Sequence, residues 1–181
     1  ADDEALVEAV FRIQADPATW RHLPEGVETS RSSNRSMVAE YARSWREQGA
    51  GWWAFSLREP IDGLPKDMIV GLGGVARRDP AIAAWNLGYR LTPMVWGRGL
   101  ASEVSRAGLL SAKQAQPELP VTARALGRNQ ASWRVLERVG LELAWEGTVP
   151  MHAPLTAGLD LRIYSDRPLS EGLTAQIAAL G

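Results

Sequence analysis

The chain contains no cysteine, which excludes disulfides, zinc–thiolate centres and a cysteine nucleophile together. It also lacks an excess of either charge. Twenty Lys and Arg against 21 Asp and Glu leave a formal net charge of −1, so there is no basic footprint for nucleic acid and no strong field for a membrane surface. No apolar run approaches the roughly 20 residues of a membrane span. The opening Ala1-Asp2-Asp3-Glu4 is acidic, the opposite of a signal peptide's n-region. The compartment expected from these absences is the cytosol. Internal repeats, low-complexity tracts and a convincing domain boundary are missing as well. Of the two histidines, His22 and His152, each reads as a surface or capping residue before it reads as a base, and no metal site is expected.

What remains is a chain of 181 residues, 45% hydrophobic, able to bury a substantial core in one domain. Helical spacing of Leu6, Val7, Val10 and Phe11 predicts a first helix over 4–14, stopped by Asp16-Pro17. Met37, Tyr41 and Trp45 recur every fourth residue and predict a second over 37–48, with Gly49 at its end. Strands are expected at 52–57, 69–75, 84–91, 121–126, 145–151 and 159–165, with helices at 100–114 and 131–139. Helices, then a strand meander, then alternating strands and helices describe a mixed α/β or α+β layer arrangement. The domain is expected to occupy residues 1–166, with 167–181 a tail or short terminal helix.

The most informative segment is Trp96-Gly97-Arg98-Gly99-Leu100-Ala101, between the strand ending Gly88-Tyr89-Arg90-Leu91 and a helix. Glycines at a helix entry remove the Cβ atoms that would hold a phosphate away, and the first-turn N–H groups have no intrahelical acceptor. A P-loop would require Lys-Ser/Thr where Leu100-Ala101 stands. The dinucleotide fingerprint Gly-x-Gly-x-x-Ser is matched on paper. Thr92-Pro93, however, separates strand from turn, and Glu118 falls between Pro117 and Pro120 instead of ending a strand.

Downstream, Asn129-Gln130-Ala131-Ser132 opens an amphipathic run that ends Gly140-Leu141, directly after the β-rich residues 121–126. Together the two segments resemble the GNAT superfamily of acetyl-CoA-dependent N-acetyltransferases. The phrasing Leu87-Gly88-Tyr89-Arg90-Leu91, then Trp96-Gly97-Arg98-Gly99 with Ala101 and Glu103, is similar to its RimJ/RimL branch, the ribosomal-protein N-terminal acetyltransferases and their relatives. The resemblance runs from about residue 16 to residue 166. It implies a mixed, mostly antiparallel sheet with splayed central strands, flanked by helices. It also implies a strand ahead of the first helix, so the chain is expected to continue N-terminally.

For the site, the resemblance implies that acetyl-CoA lies in the splay. A backbone N–H among Tyr89, Arg90 and Leu91 would polarise the acetyl carbonyl. Val95 and Trp96 would lead into a pyrophosphate loop formed by Gly97, Arg98, Gly99, Leu100 and Ala101, with Arg98 adding a charge-assisted contact. Asn129 is on spacing alone an N-cap, and Ser132 a first-turn residue. The resemblance places Asn129 against the pantetheine and makes Ser132 the donor that protonates the departing thiolate, with Tyr164 in reserve. Glu146, ahead of Asp160 and Glu142, is the candidate base, acting through water. Glu103 reads as a helix-dipole residue.

Eight tryptophans read chiefly as core, while the implied acceptor groove makes Trp20, His22 and Trp45 candidates for its lining. A lysine amine with pKa near 10.4 is neutral in roughly one molecule in two thousand at pH 7, an α-amine near 7.8 in roughly one in seven. The expected acceptor is therefore a peptide or protein N-terminal α-amine, attacked directly in a ternary complex. The alternatives are a small amine of aminoglycoside or polyamine type, or an acyl-CoA-binding module without turnover. Nucleic acid and membrane are not expected partners, and monomer and homodimer stay open.

Overall fold

The computed structural model describes residues 3–151 and 155–180; His152 lies outside them. Helix α1 (Glu4–Gln14) begins where the Asp3 carboxylate accepts from the Leu6 N–H at 3.1 Å, and it buries Val7, Val10, Phe11 and Ile13. Helix α2 (Arg31–Gln48) starts six residues before the apolar spacing indicates. Its first turns are polar, yet Ser30 caps them through the Ser33 N–H, and Asn34 is buried with its amide on the Val7 carbonyl at 2.9 Å. A helix start built on caps carries little apolar signal.

The strands β1 (Trp52–Ser56), β2 (Ile69–Ala76), β3 (Trp85–Leu91), β4 (Val121–Leu126), β5 (Glu142–Thr148) and β6 (Asp160–Ser165) form one sheet in the order β1-β2-β3-β4-β6-β5. Helix α3 (Leu100–Ala115) precedes β4, α4 (Gln130–Arg138) follows it, and α5 (Glu171–Ala178) closes the chain. Strand β5 begins at Glu142, not at residue 145, and ends before residue 149. Its first residues are exposed on an edge strand, so no burial period marks them.

Two layers of helix cover the sheet. On one face, α3 and α4 pack against Trp85, Leu87, Ala123, Ala125 and Tyr164. On the other, α1 and α2 cover Leu72, while Ile177 of α5 packs with Leu126, Leu161 and Ile163. All neighbouring strands are antiparallel except β3 and β4, which run parallel and pair only at Trp85↔Val121 and Asn86↔Thr122. Beyond Asn86 they diverge, and the sheet opens at its centre.

Candidate active site

The Trp85 N–H donates to the Pro120 carbonyl at 2.9 Å, so Trp85 presents its backbone to the β4 side. Backbone direction alternates along a strand, which turns the N–H groups of Leu87, Tyr89 and Leu91 into the opening. The Thr92 N–H on the Val70 carbonyl at 2.9 Å, directed to β2, keeps the same alternation. A row of strand N–H groups without a strand partner is a ready template for an extended ligand.

At the end of this opening, the chain turns through Val95, which is 1% exposed, and the Trp96 indole N–H folds back on the Leu91 carbonyl at 2.9 Å. Gly97 and Gly99 then take φ of 77° and 81°, the left-handed region that favours glycine. A Cβ at either would meet nothing within 4 Å among the described residues, so the loop faces open space. Gly99 caps α3 without a side chain, leaving the N–H groups of Leu100 and Ala101 directed outward at the positive end of a 16-residue helix. One turn inside, the buried Ser102 Oγ has no hydrogen-bond partner among the described residues. This bare, electropositive cradle fits a pyrophosphate. Arg98 does not point an unpaired charge at it; its guanidinium pairs with Asp62 across the loop. Glu103 takes its expected place in the first turn of α3.

On the other lip, Asn129 caps α4 by accepting the Ser132 N–H at 3.3 Å, and this cap aims the first turn at β3. The Tyr89 hydroxyl donates to Ser132 Oγ at 3.4 Å, so two hydroxyls meet across the opening. Burial pushes the Tyr89 phenol above its ordinary pKa, partly offset by the bond to Ser132.

The opposite face carries different chemistry. Arg90 sits opposite Leu72, under α1 and the turns that follow it. Its guanidinium lies 3.4 Å from the centroid of the Trp20 ring and donates to the Thr19 carbonyl at 2.6 Å and to Thr19 Oγ1 at 3.2 Å. Burial draws the Arg90 pKa down to about 10. His22 stacks beside Trp20 at 6.3 Å, and Arg128 donates to its carbonyl. Burial, with the charges of Arg90 and Arg128, pushes the His22 imidazole down to about 4. The Trp52 ring lies over Gly88, where a Cβ would come within 2.3 Å of it, and it stacks on Tyr41 at 5.2 Å.

The acetyltransferase (GNAT) domain family matches residues 2–142, more than half of the chain. This chain belongs to the GNAT acetyltransferase family. Similar solved structures share its fold along nearly the whole length. An acetyltransferase of the GNAT family from Bacillus anthracis is 20% identical with a TM-score of 0.65, over 89% of this chain and 88% of that one. RimL, a ribosomal α-N-protein acetyltransferase in complex with coenzyme A, is 21% identical with a TM-score of 0.66, over 93% and 92%. The microcin C7 self-immunity acetyltransferase in complex with acetyl-CoA and AMP is 16% identical with a TM-score of 0.66, over 91% and 88%. The open sheet of this GNAT domain is thus the expected splay. Among the described residues, no group of His, Asp and Glu is placed to hold a metal.

Within this GNAT site, the structure brings together Tyr89, Leu91, Val95, Trp96, Gly97, Gly99, Leu100, Ala101, Asn129 and Ser132 around the opening, and Trp20, His22 and Arg90 on the far face. Other expected residues lie elsewhere. Trp45 packs 5.9 Å from Trp53 at the outer edge and lines a surface groove with Ala107 and Leu110, away from Trp20. Glu146 stands on the edge strand β5 and pairs with Arg162 at 3.1 Å, whose guanidinium covers Trp133 on the α4 side. Tyr164 is fully buried, its hydroxyl donating to Glu137 at 3.0 Å; burial and that carboxylate raise its pKa. Asp160 opens β6, its carbonyl taken by the Gly127 N–H at 2.7 Å. Sequence reasoning used Tyr89 and Arg90 only for their backbone and passed over Thr19, which holds the Arg90 guanidinium, and Tyr41, which stacks on Trp52. Strand alternation could have separated the Tyr89 and Arg90 side chains, but not what each would meet.

Proposed function

We propose that this enzyme transfers the acetyl group of acetyl-CoA to a primary amine, and that the amine is the N-terminal α-amine of a peptide or protein. The observation that carries the reading is the pairing of an open β3–β4 seam with an unblocked Gly97-to-Ala101 cradle at its end. Acetyl-CoA, when bound, supplies an activated acyl group as a thioester. The N–H groups of Tyr89 and Leu91 are the donors available in the seam to an acyl oxygen. Ser132 Oγ, held by the α4 cap and bonded to Tyr89, carries the proton needed by a leaving sulfur. Tyr89 orients that hydroxyl and extends the relay by one group.

An α-amine with a pKa of about 7.8 is neutral often enough at pH 7 to react without a strong base. The half-buried His22, with its pKa near 4, is neutral at pH 7 but too weakly basic to hold a proton there. A polycationic acceptor such as an aminoglycoside or polyamine is disfavoured if it enters from the face opposite α3, where Arg90 stands without a carboxylate among the described residues. No helix among the described residues is long and apolar enough to cross a membrane. The cytosol is the compartment proposed.

Isothermal titration with acetyl-CoA, alone and on Gly99→Trp, followed by mass spectrometry of a peptide panel, tests this. We expect binding that the variant loses and acetylation at peptide N-termini. Binding without transfer to any peptide or small amine would replace catalysis by the acyl-CoA-binding alternative.

A further inference from the structure

Resting on the reading above, we propose that the acceptor amine is presented together with an anionic group, a carboxylate or phosphate, received by Arg90 and the arginines that share its face of the sheet. Arg90 projects from β3, in register with Leu72, toward α1 and the turn bearing Thr19 and Trp20, while α3 covers the opposite face. On that face its guanidinium lies between the Trp20 ring and Thr19.

The partners of Arg90 are all neutral: a carbonyl, a hydroxyl and an indole ring. Among the described residues, carboxylates pair with Arg12, Arg31, Arg35, Arg43, Arg98, Arg162 and Arg167, and none pairs with Arg90. The chain thus supplies acids to arginines elsewhere and withholds one where a cation is partly removed from water. Such a cation carries a desolvation cost that an incoming anion offsets, and its attraction for that anion is less screened than at the surface.

Other arginines share this face of the sheet. Arg124 stands opposite Ile163, which packs with the α5 side of the sheet, and therefore faces the same way as Arg90. The charge of Arg78 bears on Arg124, whose pKa falls to about 10, mainly through burial. Arg128 lies at the His22 carbonyl. Asp79, beside Arg78 in sequence, accepts the Ala81 N–H at 2.8 Å and shapes its own turn. A planar guanidinium backed by an aromatic ring is suited to a bidentate carboxylate or phosphate.

The same chemistry has two sources: acidic side chains just after a peptide's N-terminus, or the acid of a small amine such as an amino acid or an aminoalkyl phosphate. Initial-rate assays with acetyl-CoA on peptides carrying Asp-Glu, Ser-Ala or Lys-Arg after the first residue, and on free aspartate and phosphoethanolamine, separate them. We expect kcat/KM for an anionic acceptor to exceed the neutral peptide by about tenfold or more. Arg124→Gln and Arg90→Gln should each shrink that ratio toward one, and Arg124→Glu should shift preference toward Lys-Arg. The ratio in the unaltered protein decides even if a variant fails to fold. Equal use of acidic and neutral acceptors overturns this inference and leaves acetyl transfer standing. Acetyl-CoA binding with no transfer to any acceptor overturns both.

Discussion

The hydroxyls of Tyr89 and Ser132 meet at 3.4 Å across a seam where β3 and β4 share no strand pairing, although 43 residues separate them in the chain. Their contact bridges the two lips of the seam and holds the Ser132 hydroxyl against β3.

Replacing Ser132 by Ala should lower kcat by about 100- to 10,000-fold, the range for loss of a positioned proton donor, with acetyl-CoA affinity changed less than about threefold. Tyr89→Phe should lower kcat by a smaller factor, because it removes the group that orients the donor and not the donor itself. Steady-state kinetics on both variants and the double variant check this. A Ser132→Ala enzyme of full kcat would remove Ser132 from the chemistry.

Tyr164→Phe distinguishes the reserve donor from a structural hydroxyl. The hydrogen bond to Glu137 is lost and the ring stays packed, so stability should fall by about 1 kcal/mol in denaturant titration while kcat stays within about twofold. A loss of kcat comparable to that of Ser132→Ala would return Tyr164 to the catalytic group.

The Arg98–Asp62 pair is exposed on both sides, so Asp62→Ala should move the melting temperature by no more than a few degrees. It also frees the guanidinium beside the cradle. Acetyl-CoA should therefore bind as well or better, and Arg98→Ala should bind it more weakly. Titration calorimetry at two salt concentrations reads this, since a contribution from Arg98 charge weakens with salt.

The depressed pKa of His22 has a stability signature. The unfolded imidazole titrates near 6.5 and the folded one near 4, so in that interval the unfolded chain binds more protons. The stability associated with neutral His22 is complete above about pH 6.5 and declines as pH falls toward 4. Thermal melts between pH 7.5 and 4.5 should show a shallower slope for His22→Gln than for the unaltered protein. Equal slopes would mean that His22 titrates normally.

Local chemistry was readable in the chain and remote contact was not. The Gly97-Arg98-Gly99 turn and the Asn129 cap depend on backbone preferences within a few residues, so their identities carry their conformations. Core strands such as β2 were legible from apolar content. The α2 start and the exposed end of β5 were missed, because polar caps and edge strands leave no burial period.

The surroundings of Trp45 and Glu146 were not legible for another reason: each is compatible with a groove or with a surface, and only packing chooses. Trp45 found Trp53, and Glu146 found Arg162. By itself, then, the amino-acid order determined most of the elements, the glycine turn ahead of α3 and the family, since these follow from short-range periodicity, glycine conformations and helix ends. The tertiary structure alone decided that Tyr89 would face Ser132, and that Arg90 would lie under Thr19, 71 residues away, among neutral partners. Strand alternation sends these adjacent residues to opposite faces, but what waits on each face depends on how distant segments pack.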